Sequence, residues 1–347
     1  MPNDGPNSIP ERPTQLIADD TPVARVFSTR TVVEGVLLGV LYGLFIRFGA
    51  QVKIFNSGAA FVMTSSFIFL APMVMGFLTI RRAAVAGPVP MWLWFAGPSA
   101  TVLFTLAGVV FFKLEGLICM IMALPVLMIS AIIGGVIAGA SSQSKRNISS
   151  STTACIAILP LLLAPAETYL TSPTQTRTVA SEIRIHASPA TVWRNIERVP
   201  AISPTELQPS WTQRIGFPRP VEATLSYEGV GGVRHASFEH GLLFIETVTD
   251  WQPDQRLAFS IKADTAAIPP TTLDEHVTIG GRYFDVLDGE YRIEPLSNGD
   301  TLLHLTSHQR LSTNFNSYAG LWSDSIMQNL QTSILQVVQH RAEARKL

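Results

Sequence analysis

The stretch LICMIMALPVLMISAIIGGVIAGA, residues 117–140, decides the first half of the fold, because it carries no charged side chain over a length that crosses a membrane. A transmembrane helix needs about 20 mainly apolar residues to span a bilayer core of about 30 Å. The chain as a whole is 47% hydrophobic and only 15% charged, whereas ordinary soluble domains carry about 25% charged residues. The deficit lies between Thr31 and Leu170, so we expect an integral membrane protein.

Four further apolar segments flank this one and give a predicted bundle of about five transmembrane helices over residues 31–170. The fifth is the weakest, because Pro160 and Pro165 interrupt it. Residues 1–30 are rich in proline, asparagine and aspartate and are predicted to form a disordered cytoplasmic tail. Because this polar stretch precedes the first apolar segment, we expect that segment to be retained rather than cleaved as a signal peptide. The predicted spans are 31–50, 59–80, 91–112, 116–140 and 151–170.

The distribution of basic residues predicts the orientation. Cytoplasmic loops are enriched in Lys and Arg, and the bias here favours a cytoplasmic N-terminus. With five spans, the part after residue 170 then lies outside the cytoplasm, on the periplasmic side of a plasma (inner) membrane. The inner side collects Arg25, Arg30, Arg81, Arg82, Lys145 and Arg146, and the outer side only Arg47, Lys53 and Lys113.

Small and charged residues within the spans suggest anchoring rather than transport. Gly35, Gly39 and Gly43 form a stripe that allows close helix packing, either inside the chain's own bundle or in a homodimer. The middle of each span lacks the charge that marks ion pathways. Arg47 and Glu167 lie near span ends, where we expect their side chains to reach the lipid headgroups.

Residues 176–347 have the composition of a soluble α+β domain. In residues 221–228 apolar and polar side chains alternate, which predicts a half-buried strand. At the end of the chain, Tyr318, Trp322, Ile326 and Leu330 recur every fourth residue and predict a long amphipathic helix over residues 314–345. A short helix is expected after Ser188-Pro189. Eight strand-like segments are predicted to give about seven antiparallel strands: 178–186, 221–228, 233–239, 242–249, 256–262, 277–284, 289–295 and 301–311.

Three short motifs in this order carry a family resemblance: IRIHASPATVW (183–193), GVGGVR (229–234) and TDWQP (249–253). With the long final helix, they resemble the START and polyketide cyclase/dehydratase superfamily, also called SRPBCC. The resemblance implies a helix-grip fold, in which a curved antiparallel sheet wraps a long helix and leaves a hydrophobic cavity. It implies binding of a lipid or another hydrophobic small molecule, without fixing a reaction.

The candidate site residues follow from the alternation and from that resemblance. For any one apolar candidate, packing in the core explains the residue as well as contact with a ligand does. For acid–base chemistry the candidates are His235, Glu239 and His304, although alternation places much of this polar set on the outer face. The ligand-binding candidates are Tyr318, Trp322, Ile326, Leu330, Phe244, Phe259, Tyr283 and Tyr291.

Other functional classes find little support in the sequence. No metal-ligand spacing, phosphate-binding loop or nucleotide fingerprint is present, so neither a metal nor a cofactor is expected. The formal net charge of −1 gives no reason to expect a nucleic-acid partner. Three readings stay open: a membrane-anchored non-enzymatic binder of a hydrophobic molecule, a cyclase/dehydratase-like enzyme, and a protein-interaction module with a filled core.

Overall fold

A computed structural model of the chain describes residues 28–50, 58–144, 148–264 and 278–344. Residues 1–27 of the predicted N-terminal tail lie outside these ranges, and so do Lys53, Lys145 and Arg146. The orientation inferred from basic residues therefore stays a prediction.

The N-terminal half is a helical bundle in which the five predicted spans appear as helices. Five helical stretches are long and apolar enough to cross a membrane by length and composition; that they do so remains a prediction. The bundle contains α1 (Thr29–Gly49), α2 (Gly58–Val62), a π-helical turn (Ser66–Leu70), α3 (Ala71–Ala83), α4 (Leu93–Phe111), α5 (Leu117–Gln143) and α6 (Ser150–Glu167).

The outer surface of the bundle is apolar and its interior holds polar groups. Leu41, Phe45 and Phe104 are more than half exposed, while the buried hydroxyls of Thr79 and Thr101 bond to each other at 2.9 Å. A soluble bundle would place large apolar side chains inside, because their exposure to water is unfavourable. The bundle buries large apolar side chains such as Phe77 and Trp94, but it also exposes others on its outer surface, which suits a surface that faces lipid tails.

Glycines bring the helices of the bundle into backbone contact. A Cβ atom on Gly76 would lie 1.9 Å from the Ala131 carbonyl oxygen, and one on Gly134 would lie 1.8 Å from that of Met73. The predicted glycine stripe of α1 is used in the same way. Cβ atoms there would collide with α3 and α4, so the chain's own helices fill the stripe. Of the two uses expected for Gly35, Gly39 and Gly43, packing within the chain's own bundle is the one that the structure shows; a homodimer stays a prediction.

The second span is less regular than predicted. The Thr64 hydroxyl donates to the Phe61 carbonyl and accepts from the Phe67 amide at 3.1 Å, which ends α2 early. Pro72 then opens α3 and has no amide hydrogen to bond the carbonyl four residues earlier. The chain accommodates both features with the π-helical turn between them.

The C-terminal half is a seven-stranded antiparallel sheet with order β1-β7-β6-β5-β4-β3-β2. The predicted meander and final helix are confirmed, and the sheet curls around the helix in the helix-grip arrangement. The strands are β1 (Gln175–Ile185), β2 (Pro220–Leu225), β3 (Val233–Phe238), β4 (Leu243–Gln252), β5 (Arg256–Asp264), β6 (Phe284–Pro295) and β7 (Thr301–Leu311). The helices are α7 (Pro189–Ile196), α8 (Trp211–Arg214) and α9 (Asn316–Ala344).

One predicted strand is wrong. Residues 278–283 form turns and bends with one isolated bridge, from Ile279 to Phe284, and β6 begins only at Phe284; Val277 lies outside the described residues. Gly280 adopts a positive φ of 78°, and the Gly281 amide donates back to the Thr278 carbonyl at 3.0 Å. This glycine pair turns the chain where alternation alone predicted extension.

The first and last strands pair with each other, and this pairing places α9. Because β7 lies beside β1, the helix that follows β7 crosses both strands. Arg177 of β1 donates to Asp324 of α9 at 2.8 Å, and Ser181 donates to Gln331 at 2.8 Å. Farther toward the C-terminal end of α9, Leu335 and Val338 pack into the main hydrophobic core of the sheet.

Candidate functional site: a cavity between the bundle and the sheet

A cavity of about 310 Å³ lies under the first half of α9. Small-molecule sites usually measure about 300–1,000 Å³, so this cavity fits one small ligand. Six of the eight ligand-binding candidates line it: Tyr318, Trp322, Ile326, Leu330, Phe244 and Tyr283. The four-residue repeat of α9 therefore faces open space over more than three turns of the helix.

The bundle forms the other wall of the same cavity. Met75, Val102 and Val126 line it from α3, α4 and α5. At the rim, the Tyr318 hydroxyl donates to the Met122 carbonyl, and the rings of Phe69 and Phe315 meet edge to face at 6.4 Å. The two halves thus enclose one apolar space. This shared wall was not predicted from the sequence, because the contacting residues lie far apart in the chain.

A smaller cavity of about 80 Å³ lies deeper between α9 and the sheet. Phe244 and Leu330 line both cavities. Phe259 and Tyr291 line only the smaller one, where both are almost fully buried in the core. For these two candidates, the structure therefore favours core packing over contact with a ligand in the larger cavity.

The smaller cavity carries a buried ion pair that the sequence analysis did not single out as a pair. Arg234 of β3 donates to Glu246 of β4 and to the Ile196 carbonyl at 3.1 Å. The two side chains are only 3% and 7% exposed. Burial raises the pKa of the Glu246 carboxyl and raises that of the Tyr291 phenol to about 12.

Alternation contained a signal for this pair. Glu246 has the same parity along β4 as buried Phe244 and Val248. Arg234 is its register partner on β3, so two oppositely charged side chains face inward across one ladder. The pair gives the smaller cavity a polar group that can orient a bound molecule.

A second ion pair lines the larger cavity from the bundle side. Arg47, at the end of α1, lies 2.9 Å from Glu115 in the α4–α5 connection, and their side chains are 10% and 12% exposed. Arg47 also donates to the Leu114 carbonyl. Arg47 therefore points into the protein, which corrects the expectation that it reaches the headgroups. Glu167 is likewise tied inward, as it accepts from the Ser66 amide at 3.0 Å.

The three acid–base candidates face away from both cavities. His235 and Glu239 are exposed, and Glu239 accepts from the Arg219 amide at 3.2 Å. His304 lies on the outer face of the sheet between Glu182 and Glu294, at 3.3 and 3.1 Å. Among the described residues that line the cavities there is no histidine. Proton transfer by the predicted residues to a cavity-bound molecule has no geometric support.

Metal binding also finds no site in the described part of the chain, since no group of three or more His, Cys, Asp or Glu residues is arranged to hold an ion. Cys119 lines the larger cavity, and Cys155 lies exposed on α6. What the site offers is two neighbouring apolar cavities, each with one charged pair in its wall.

Comparison with known proteins yields structural likeness without a family assignment. No protein-family model and no curated protein matches the chain. Similar solved structures include norcoclaurine synthase from Thalictrum flavum, at 14% identity and a TM-score of 0.33 over 50% of this chain and 99% of that one. Zhui aromatase/cyclase from Streptomyces sp. R1128 shows 17% identity and a TM-score of 0.33, over 50% and 97%. An uncharacterised Rhizobium leguminosarum protein shows 16% and 0.31, over 50% and 97%. Scores this low assign neither family nor function.

Proposed function

We propose that this protein is a membrane-anchored binder of one hydrophobic or amphipathic small molecule, such as a lipid, held in the cavity beneath α9. The observation that supports this most is the cavity itself, which is open where a purely structural core would be closed. Protein interiors are close-packed with few voids larger than a water molecule. An apolar volume of about 310 Å³ is therefore a reason to expect an occupant.

In this proposal the ligand reaches the cavity from the membrane. A molecule that partitions into the bilayer is already concentrated beside the bundle, so tethering raises its effective concentration at the cavity. We propose the SRPBCC-like, non-enzymatic form of this function, because the histidine and carboxylate candidates for catalysis lie outside the cavity. The open cavity also argues against the interaction module with a filled core.

Native mass spectrometry of the full chain, purified from membranes in a mild detergent, tests the proposal. We expect a stoichiometric hydrophobic adduct that organic extraction removes and whose mass gives its chemical class. The variant Ile326→Trp fills the cavity and should lose the adduct. Gln328→Trp places the same ring on an exposed position of the same helix and should keep it.

Two results would count against the binder. One is a mass without an adduct under gentle release and no uptake of added lipids. The other is an adduct that Ile326→Trp retains, which would mean that the molecule is bound outside the cavity.

The same protein is proposed to expose its C-terminal half outside the cytoplasm. Ser297 lies exposed in the turn between β6 and β7, so Ser297→Cys in a chain lacking Cys119 and Cys155 reports its side. A membrane-impermeant maleimide should label this position in intact cells. Labelling only after the cells are opened would reverse the orientation and leave the binding proposal unaffected.

A further inference from the structure

The cavity wall contributed by the bundle contains one polar atom that the protein leaves unused. Arg47 is 8% exposed, and its Nε has no hydrogen-bond partner among the described residues. A buried donor without a partner costs about 1–3 kcal/mol, and more on a charged group. Arg47 lines the larger cavity, while its Nε lies just beneath the accessible surface. A small rotation of the side chain would bring this unused donor to an acceptor that arrives in the cavity from outside the chain.

The charge around Arg47 limits what that acceptor is. Glu115 lies 2.9 Å from the guanidinium, so the formal charges of the pair cancel. An anionic headgroup would place a second negative charge beside Glu115 in a low-dielectric wall, where like charges repel strongly. An uncharged oxygen, as in a hydroxyl or an ester carbonyl, satisfies the Nε donor without that penalty.

The rest of the cavity fits the apolar part of the same molecule. Arg47 lines one side, whereas Trp322, Ile326 and Phe244 line the sheet side, and the space between them is apolar. A volume of about 310 Å³ suits one small amphiphile at the lower end of the usual range.

We propose that the binding site is shared between the two halves, and that Arg47, held by Glu115, binds the uncharged oxygen-bearing end of a single-chain amphiphile whose chain lies under α9. This inference rests on the proposed function. It adds the class of ligand and the residue that binds the polar end of that ligand. It also gives the bundle a part in recognition beyond anchoring.

Photolabelling of the full chain in phosphatidylcholine vesicles tests the assignment. The probe is a monoacylglycerol with a diazirine in its acyl chain, and the comparison probe is an alkane with the same diazirine and no polar end. Removing both charges by Arg47→Leu with Glu115→Leu avoids leaving one buried charge unpaired, which by itself would destabilise the fold. The matched control removes the Arg82–Glu34 pair, which lies outside the cavity lining, by the same double change to leucine.

We expect adducts on peptides of both α5 and α9 that excess unlabelled monoacylglycerol suppresses. Removal of the Arg47–Glu115 pair should lower monoacylglycerol labelling about tenfold, as expected for one hydrogen bond to a charged group. Labelling by the alkane should stay unchanged, and removal of the Arg82–Glu34 pair should affect neither probe.

Three outcomes would overturn the assignment, and they separate it from the proposed function. If the double variant labels as wild type with both probes, Arg47 does not read the polar end, while binding in the cavity stands. If adducts occur on α9 alone, the site is not shared. If neither probe gives a suppressible adduct on the wild type, the binder and the shared site fail together.

Discussion

The Tyr318 hydroxyl, in the first turn of α9, donates a hydrogen bond to the Met122 carbonyl inside α5. This bond joins the sheet half to the bundle at the rim of the large cavity. A backbone carbonyl oxygen has two lone pairs, so that of Met122 can accept this bond in addition to its helical one. The Tyr318 side chain thereby fixes the start of α9 against the first turns of α5.

Replacing Tyr318 by phenylalanine should loosen this junction. The ring stays while one intramolecular hydrogen bond is lost, which costs about 1 kcal/mol. Hydrogen exchange of the amides at the start of α9 should then be about five times faster, because local opening becomes easier by that free energy. Tyr169→Phe, at an exposed tyrosine after α6, should leave the exchange unchanged. Unaltered exchange in Tyr318→Phe would mean that the bond does not hold α9 in place.

Breaking the Arg234–Glu246 pair from one side should be costly. In Arg234→Met the buried Glu246 carboxyl loses its counter-charge, and such single changes cost about 3–5 kcal/mol. The double change of both residues to methionine should recover most of that loss, because a buried pair is replaceable by apolar groups of similar size. Urea unfolding followed by tryptophan fluorescence measures both. A double variant no more stable than the single one would contradict the pairing.

Stability should depend on pH through Glu206, which anchors the loop before α8 to Arg341 near the end of α9. The bond from Arg341 to Glu206, 2.6 Å long, lowers the pKa of this carboxyl from 4.5 to about 2. A depressed pKa stabilises the fold above the unfolded value and this contribution is lost as the pH falls toward about 2. Between pH ~6 and ~3, the wild type should lose about 1 kcal/mol more than Glu206→Gln, after allowance for screening by water. An equal loss of stability in the wild type and in Glu206→Gln over this pH range would refute the prediction.

Backbone contact between α3 and α5 should make Gly134 intolerant of a side chain. A methyl group there would collide with the Met73 carbonyl at 1.8 Å, whereas one on Gly49 would meet nothing within 4 Å. Gly134→Ala should therefore push the helices apart and lower the thermal unfolding midpoint in detergent, by an amount equivalent to about 1–3 kcal/mol. Gly49→Ala should behave as wild type. Equal midpoints for all three proteins would show that these helices are not packed so closely.

Local patterns predicted most elements because the dominant forces on them are local. Apolar length alone marked the five long helical segments. Alternation marked β2, although its burial departs from a period of two, whereas burial along β7 follows that period. The strand predicted over 277–284 failed because Gly280 takes a positive φ, a conformational preference that hydrophobic periodicity does not register.

The site was only partly predictable. The four-residue repeat of α9 identified the residues that line the cavity, but a stripe reads the same whether it lines a space or fills one. The contribution of the bundle could not be foreseen, because it depends on contacts such as Tyr318 with Met122 between residues far apart in sequence. Arg47 was misplaced because its position near a span end suggested exposure, whereas Glu115 draws it inward.

Electron cryomicroscopy of the full chain in lipid nanodiscs, without added ligand, tests the central claim most directly. The cavity-binding account predicts elongated density between Phe244 and Trp322 that no part of the chain explains, and that Ile326→Trp abolishes. A cavity closed by rotation of Trp322 or Tyr318, with no such density in the wild type, would contradict it.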